Sequence, residues 1–162
     1  MNEVCPVPPD QRPLHEFRQL QTSWFFRWPV QSPTSLSRSL LIGWALCLPV
    51  TLLVASGSFS LRHHPPQLVI AAALAAVALP ALLLVRQWLG WTYVQRRLLS
   101  ERIAYEESGW YDGQEWEKPL HWRQQDLLVA QHQVKPVLQR LLRAALWLLL
   151  LVAGGTGLWQ AL

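Results

Sequence analysis

The chain has 162 residues, 51% of them hydrophobic and 15% charged, with ten Trp, twelve Pro and a formal net charge of +4. A charged fraction this far below the roughly 25% of soluble domains excludes a disordered acidic tail, a coiled coil and an ordinary water-soluble enzyme. The positive balance rests on twelve Arg and two Lys without a run of five, so it bears on membrane orientation rather than on nucleic acid.

Residues 1–38 form a polar N-terminal segment. A basic stretch followed by an apolar one is missing, so no signal peptide is expected, and the early Glu3 and Asp10 speak against a transit peptide. Leu14, Phe17, Leu20, Trp24 and Trp28 recur at helical spacing behind Pro13, which suits a first helical position. This pattern predicts an amphipathic helix lying at a membrane interface, with Arg18 and Arg27 reaching phosphates; a partner-docking helix is the rival reading.

Three spans follow, at 39–61, 68–87 and 144–162, built on the charge-free runs 39–61, 65–85 and 144–162, each close to the ~20 residues that a helix needs to cross hydrocarbon. Residues 62–67 make a short loop carrying His63 and His64. Pro49 and Pro80 should kink the first two spans. Ala71, Ala75 and Ala78 share one face of the second span, Ala72 and Ala76 another, and Gly154, Gly155 and Gly157 punctuate the third. Small residues at such spacing let helices approach closely, within the chain or against a larger complex.

Residues 88–143 separate spans two and three. The helix is predicted to continue to about Leu99, after which Ile, Tyr and Trp around Ser108-Gly109 and Asp112-Gly113 predict a β-hairpin. A helix should resume near Arg123, with a bend at Pro136. Lys and Arg number four before span one, one in the first loop, nine from Arg86 to Arg143 around the second and none after span three. That alternation predicts a cytoplasmic N-terminus and second loop, and a C-terminus on the opposite, lumenal or periplasmic, side. Trp28, Trp88, Trp91 and Trp147 then read as one aromatic belt and Trp159 as part of the other. The fold class is therefore a mainly α membrane protein: three transmembrane helices, an N-terminal amphipathic helix, and a cytoplasmic α-helix/β-hairpin insertion between helices two and three.

Chemistry is harder to find. Phosphate-loop, dinucleotide, nucleophile-elbow and zinc-protease patterns are missing, so no catalytic residue is assigned and no enzyme is expected. Glu106, Glu107, Asp112, Glu115 and Glu117 read as a solvated acidic turn rather than a cation loop. His132, on the helix leading to span three, and His63 are the two candidates for a haem or pigment; the cofactor is otherwise unassigned, and no metal is assigned. Cys5 and Cys47 read as free thiols. The charge-free runs 39–61, 65–85 and 144–162 hold no Asp, Glu, Lys, Arg or His, which argues against a pump or secondary transporter.

Two motifs carry a resemblance. One is Cys5-Pro-Val-Pro-Pro-Asp-Gln-Arg-Pro13 with Glu16-Phe17 and Ser23-Trp-Phe-Phe-Arg-Trp-Pro29; the other is Glu106-Glu-Ser-Gly-Trp-Tyr-Asp-Gly-Gln114 with Trp116, Lys118-Pro119 and Gln133-Val-Lys-Pro136. Together they resemble the hypothetical plastid open reading frames described as conserved in the green lineage and diatoms. The likeness covers almost the whole chain and implies the photosynthetic, thylakoid membrane of cyanobacteria or plastids, with no activity attached. Where that family tends to carry an Arg-Asp-Arg-like stretch before the last helix, this chain has Arg123-Gln-Gln-Asp126. The high Arg-to-Lys ratio favours a cyanobacterial host. The expectation is a non-catalytic accessory or assembly protein. Its cytoplasmic surface, with Arg12, Pro13, Trp110, Tyr111, Asp112, Gly113, Trp116 and Pro119, would meet a partner in a photosynthetic membrane complex.

Overall fold

A computed structural model describes residues 5–105 and 114–161. Helix α1 spans Pro13–Thr22, α2 Trp28–Gln31, α3 Pro33–Ser56, α4 Phe59–Arg62, α5 Pro65–Ala75 and α6 Ala78–Leu99. Strands β1, Arg102–Tyr105, and β2, Gln114–Glu117, follow; then come α7, Leu120–Val129, a π-helical turn, Ala130–Val134, and α8, Lys135–Ala161.

Three helices are long and apolar enough to cross a membrane: Pro33–Ser56, Pro65–Leu99 and Leu120–Ala161. The first begins six residues before the charge-free block, because Ser32 caps it, its hydroxyl accepting from the Ser35 amide at 3.0 Å. Arg38 is therefore helical. The second runs 35 residues and the third 42. At about 1.5 Å per residue these are about 52 and 63 Å long, whereas hydrocarbon is about 30 Å thick. Both helices thus outrun any bilayer they cross, and their surplus lengths lie together against α1. Leu46, Leu53 and Leu149 are 69%, 74% and 64% exposed, an outward-facing apolar shell at the other end of the bundle.

The breaks in the long helices have backbone causes. Pro80 lacks an N–H for the Ala76 carbonyl and crowds it. The chain answers with a tighter turn there, the Val77 amide donating to Leu74 at 3.1 Å, and α5 hands over to α6. Pro136 similarly follows the π-helical turn, which the Lys135 amide closes on the Ala130 carbonyl. Pro80 and Pro136 thus stand at irregularities of the helices, whereas α3 runs unbroken through Pro49, where the sequence also predicts a kink.

The N-terminal helix differs from expectation. It stops at Thr22, whose hydroxyl turns back onto the Arg18 and Gln19 carbonyls. Trp24 and Trp28 therefore do not continue its apolar face. That face is covered by the chain itself: Phe17 is buried edge-on against Trp91 of α6, ring centroids 6.2 Å apart. Trp91, expected in an aromatic belt, is fully buried in a core with Phe17, Leu36, Val94, Val134 and Leu138. Trp88 and Trp147 stay exposed.

Among the small residues, Ala72 and Ala76 are buried, while Ala75 and Ala78 face outward. Two glycines mark close approaches. A Cβ on Gly155 would stand 2.6 Å from Leu74, and one on Gly90 would stand 2.4 Å from the Phe26 ring. Phe26 belongs to the segment between α1 and α2 and packs on the core. Gly90→Ala is expected to force that ring aside and to cost about 1–3 kcal/mol, seen as a lower unfolding midpoint in mild detergent. Gly154→Ala, facing open space, serves as the neutral control.

Candidate functional site

The surplus lengths of α6 and α7 carry the hairpin, and the polar residues gather there. Strands β1 and β2 pair antiparallel, Ile103 opposite Trp116 and Arg102 opposite Glu117. A lone two-stranded hairpin is marginal in water. Here Ile103 and Tyr105 are buried with Val7, and Cys5 and Trp116 pack around them. The N-terminal segment is thus the hairpin's missing layer.

Two ion pairs tie the hairpin and the N-terminal segment to the long helices. Lys118, fully buried just past β2, uses all three ammonium protons: toward Asp126 Oδ2 at 2.6 Å and the Arg97 and Leu98 carbonyls at 2.9 and 3.1 Å. Those carbonyls belong to the last turn of α6, which lacks intrahelical partners and favours a cation. Asp126, buried on α7, supplies the counter-charge. One side chain therefore joins the hairpin, the end of α6 and α7.

Arg97 does the same for the N-terminal segment. Its guanidinium meets Glu16 of α1 at 2.9 Å, donates to the Gln11 carbonyl at 2.8 Å and reaches the Tyr93 hydroxyl at 3.0 Å. Glu16 Oε2 is buried without a hydrogen-bond partner among the described residues. Burial pushes the Glu16 carboxyl above its ordinary range, and the Arg97 and His15 charges work against that. A carboxyl that binds its proton more tightly in the folded state gains stability as pH falls. From pH 7 toward 5, the wild-type unfolding midpoint should rise relative to that of Glu16→Gln. A constant difference between the two curves would show that Glu16 does not titrate this way.

Above these pairs lies an aromatic and cationic cluster. Arg12 stands over the Trp122 ring at 5.6 Å, and Trp116 meets Trp122 edge-on at 5.5 Å. Arg123 bridges Glu117 and Glu101 and donates to the Lys118 carbonyl at 2.8 Å. On α7, Leu120, Leu127 and Leu128 are 75%, 43% and 57% exposed.

Of the sequence-picked residues, Arg12 and Trp116 are thus brought together on Trp122. Pro13 is buried at the start of α1, and Pro119 precedes α7 half-buried. Trp110, Tyr111, Asp112 and Gly113 lie outside the described residues, as do Glu106 and Glu107. Glu115 pairs with Arg102 at 3.3 Å. His63 and His132 are both exposed, each with Nδ1 against its own helix, at the Phe59 carbonyl (2.9 Å) and the Leu128 carbonyl (3.1 Å). No group of three or more His, Cys, Asp or Glu side chains suited to a metal occurs among the described residues. Cys5 and Cys47 are free thiols.

Sequence reasoning missed Trp122 and the Lys118–Asp126 and Glu16–Arg97 pairs. A signal existed for one of them. Asp126 is the last acidic residue of the chain, isolated on a helix that leads into an apolar span, and such a charge needs a partner.

These features define a class: a mainly helical protein with three helices of membrane-crossing length and apolarity, two of them prolonged into a head that bears a small hairpin. Residues 5–147 match the CGLD27-like family, conserved in the green lineage and diatoms, and the chain belongs to it. It is 36% identical over 154 residues to the ycf36 protein of Pyropia yezoensis, covering 94% of this chain and 93% of that one. It is 36% identical over 160 residues to the ycf36 protein of Cyanophora paradoxa, covering 99% and 100%. A chloroplastic relative from Arabidopsis thaliana, named for the same conservation, is 39% identical over 136 residues, 83% of this chain and 42% of its own. No solved structure matches.

Proposed function

We propose that this chain is a non-catalytic integral protein of the photosynthetic membrane that docks to a larger membrane complex. The head is the recognition surface. On this reading the N-terminus and head stand on the cytoplasmic or stromal side, and the C-terminus on the lumenal side. The four, one, nine and zero distribution of Lys and Arg supports that orientation. The chloroplastic relative supports the compartment.

The observation that carries the reading is the exposure of Leu120, Leu127 and Leu128 on α7. Leu128 lies fifteen residues before Arg143 on one continuous helix, about 22 Å above the level at which the last charge marks the interface. Apolar side chains held that far from lipid mark a protein contact. The outward Ala75, Ala78, Gly154 and Gly157 give partner helices a smooth approach lower down.

The test is a tagged pull-down from mildly solubilised membranes, with bound proteins identified by mass spectrometry. Subunits of a photosynthetic complex should be recovered with the wild type and lost with Leu127→Ser/Leu128→Ser. Both positions are exposed, so the variant should keep its unfolding midpoint. Recovery of the chain alone, or of the same subunits with the variant, would refute the docking role.

A further inference from the structure

A groove of about 680 Å³ opens between α3 and α8 on the apolar part of the bundle. That volume lies in the range of about 300–1,000 Å³ found for ordinary small-molecule sites. Its two ends differ. One is polar, formed by Thr34 and Ser37 in the first turns of α3 and by Arg140 and Arg143 of α8. The other is apolar, walled by Leu41, Trp44, Trp147 and Leu151. Trp44 is fixed there, its indole N–H donating to the Ala73 carbonyl at 3.0 Å. From Arg140 to Leu151 the groove follows about 16 Å of helix, half of a hydrocarbon layer about 30 Å thick.

The polar end carries unanswered positive charge. Arg140 is held by the Pro29 and Val30 carbonyls at 2.8 and 3.2 Å, which position its guanidinium without neutralising it. Arg143 is exposed and makes no ion pair among the described residues; the six pairs they do form all lie in the head. The sequence supplies no Asp or Glu between Glu16 and Glu101, nor any after Asp126. A second copy of this chain therefore brings no carboxylate to this level. The occupant must bring its own negative charge, together with an apolar body of one leaflet's length.

We propose that this groove holds one anionic membrane lipid. Its headgroup sits on Arg143 and Arg140, and an acyl chain runs down past Trp44 to Leu151. The proposal rests on the membrane reading above, not on the docking partner. Phosphatidylglycerol is the probe.

The protein in neutral detergent is titrated with phosphatidylglycerol, phosphatidylcholine or inorganic phosphate, and bound lipid is counted by native mass spectrometry beside the unfolding midpoint. Phosphatidylglycerol alone should raise the midpoint and add one lipid. Arg143→Gln should weaken its binding at least tenfold. Ser37→Trp, filling the exposed mouth, should abolish it while both variants keep the helical circular dichroism of the wild type. Equal binding of phosphatidylcholine, reproduction of the shift by inorganic phosphate, or full phosphatidylglycerol binding by Arg143→Gln would each overturn the site. Vesicle flotation separates the two readings. A chain that fails to float refutes membrane insertion itself, whereas one that floats without lipid selectivity refutes only this groove.

Discussion

Lys118→Met is expected to destabilise the protein by about 3–5 kcal/mol, the range for removing one partner of a buried ion pair. The loss has two parts. Asp126 is left as an unpaired carboxylate at 2% exposure, and the Arg97 and Leu98 carbonyls lose the donor that closed the end of α6. The double variant Lys118→Met/Asp126→Leu removes the stranded charge and should recover much of the stability, because a buried pair often yields to apolar groups of similar size. Denaturant titrations of the wild type, both single variants and the double variant in mild detergent give the coupling directly. If the double variant lost the sum of the single losses, the pair would not be the joint between hairpin and helices. The same joint controls the head. In Lys118→Met the amides of Ile103 and Tyr105 should exchange faster than those of the long helices, since β1 and β2 would keep only the packing of Val7, the Trp116–Trp122 contact and exposed polar ties such as Arg123–Glu117.

The parts of this fold that were legible in the sequence are those set by local solvent preference. A run without charge between Arg38 and Arg62 announces a helix of membrane-crossing length because a charge in lipid is expensive, and the turn residues between Tyr105 and Gln114 announce a hairpin for equally local reasons. Pro80 and Pro136 marked two helix irregularities, since a missing N–H acts on the turn beside it, although Pro49 sits within an unbroken α3. What covers an apolar face is a different question. The periodicity of Leu14, Phe17 and Leu20 is the same whether the face meets lipid, a partner or α6, and only the fold brings residue 17 to residue 91. The head's pairs are illegible for the same reason. Glu16 and Arg97 stand 81 positions apart, and Lys118 reaches Asp126 only because the chain turns at Pro119. The family motifs did mark this region. They include Arg12, Glu16, Trp116 and Lys118, and the structure shows each in a contact that joins the N-terminal segment, the hairpin or the helices.

Trp91→Ala is expected to cost about 3–5 kcal/mol, the range for truncating a large buried aromatic side chain. Trp91 is fully buried where α1 crosses α6, so its loss opens a cavity bounded by Phe17 on one side and by the buried face of the long helices on the other. The damage should concentrate in α1. Amide exchange over Pro13–Thr22 should accelerate more than exchange over the apolar half of α6, because α1 has no other large aromatic contact to that helix among the described residues. Trp91→Phe discriminates packing from polarity. The indole Nε1 of Trp91 is buried without a hydrogen-bond partner among the described residues, and an unpaired buried donor costs about 1–3 kcal/mol. Phe keeps most of the apolar contact with Phe17 and removes that donor, so its destabilisation should be well below that of Ala. If Phe and Ala proved equally damaging, the indole N–H would have to be hydrogen-bonded in the folded protein, and the reading of this site as a purely apolar joint would fail. If instead Phe matched the wild type while Ala released α1, the N-terminal helix would be held to the bundle by aromatic packing. The head would then depend on a residue that its sequence context assigned to the membrane surface.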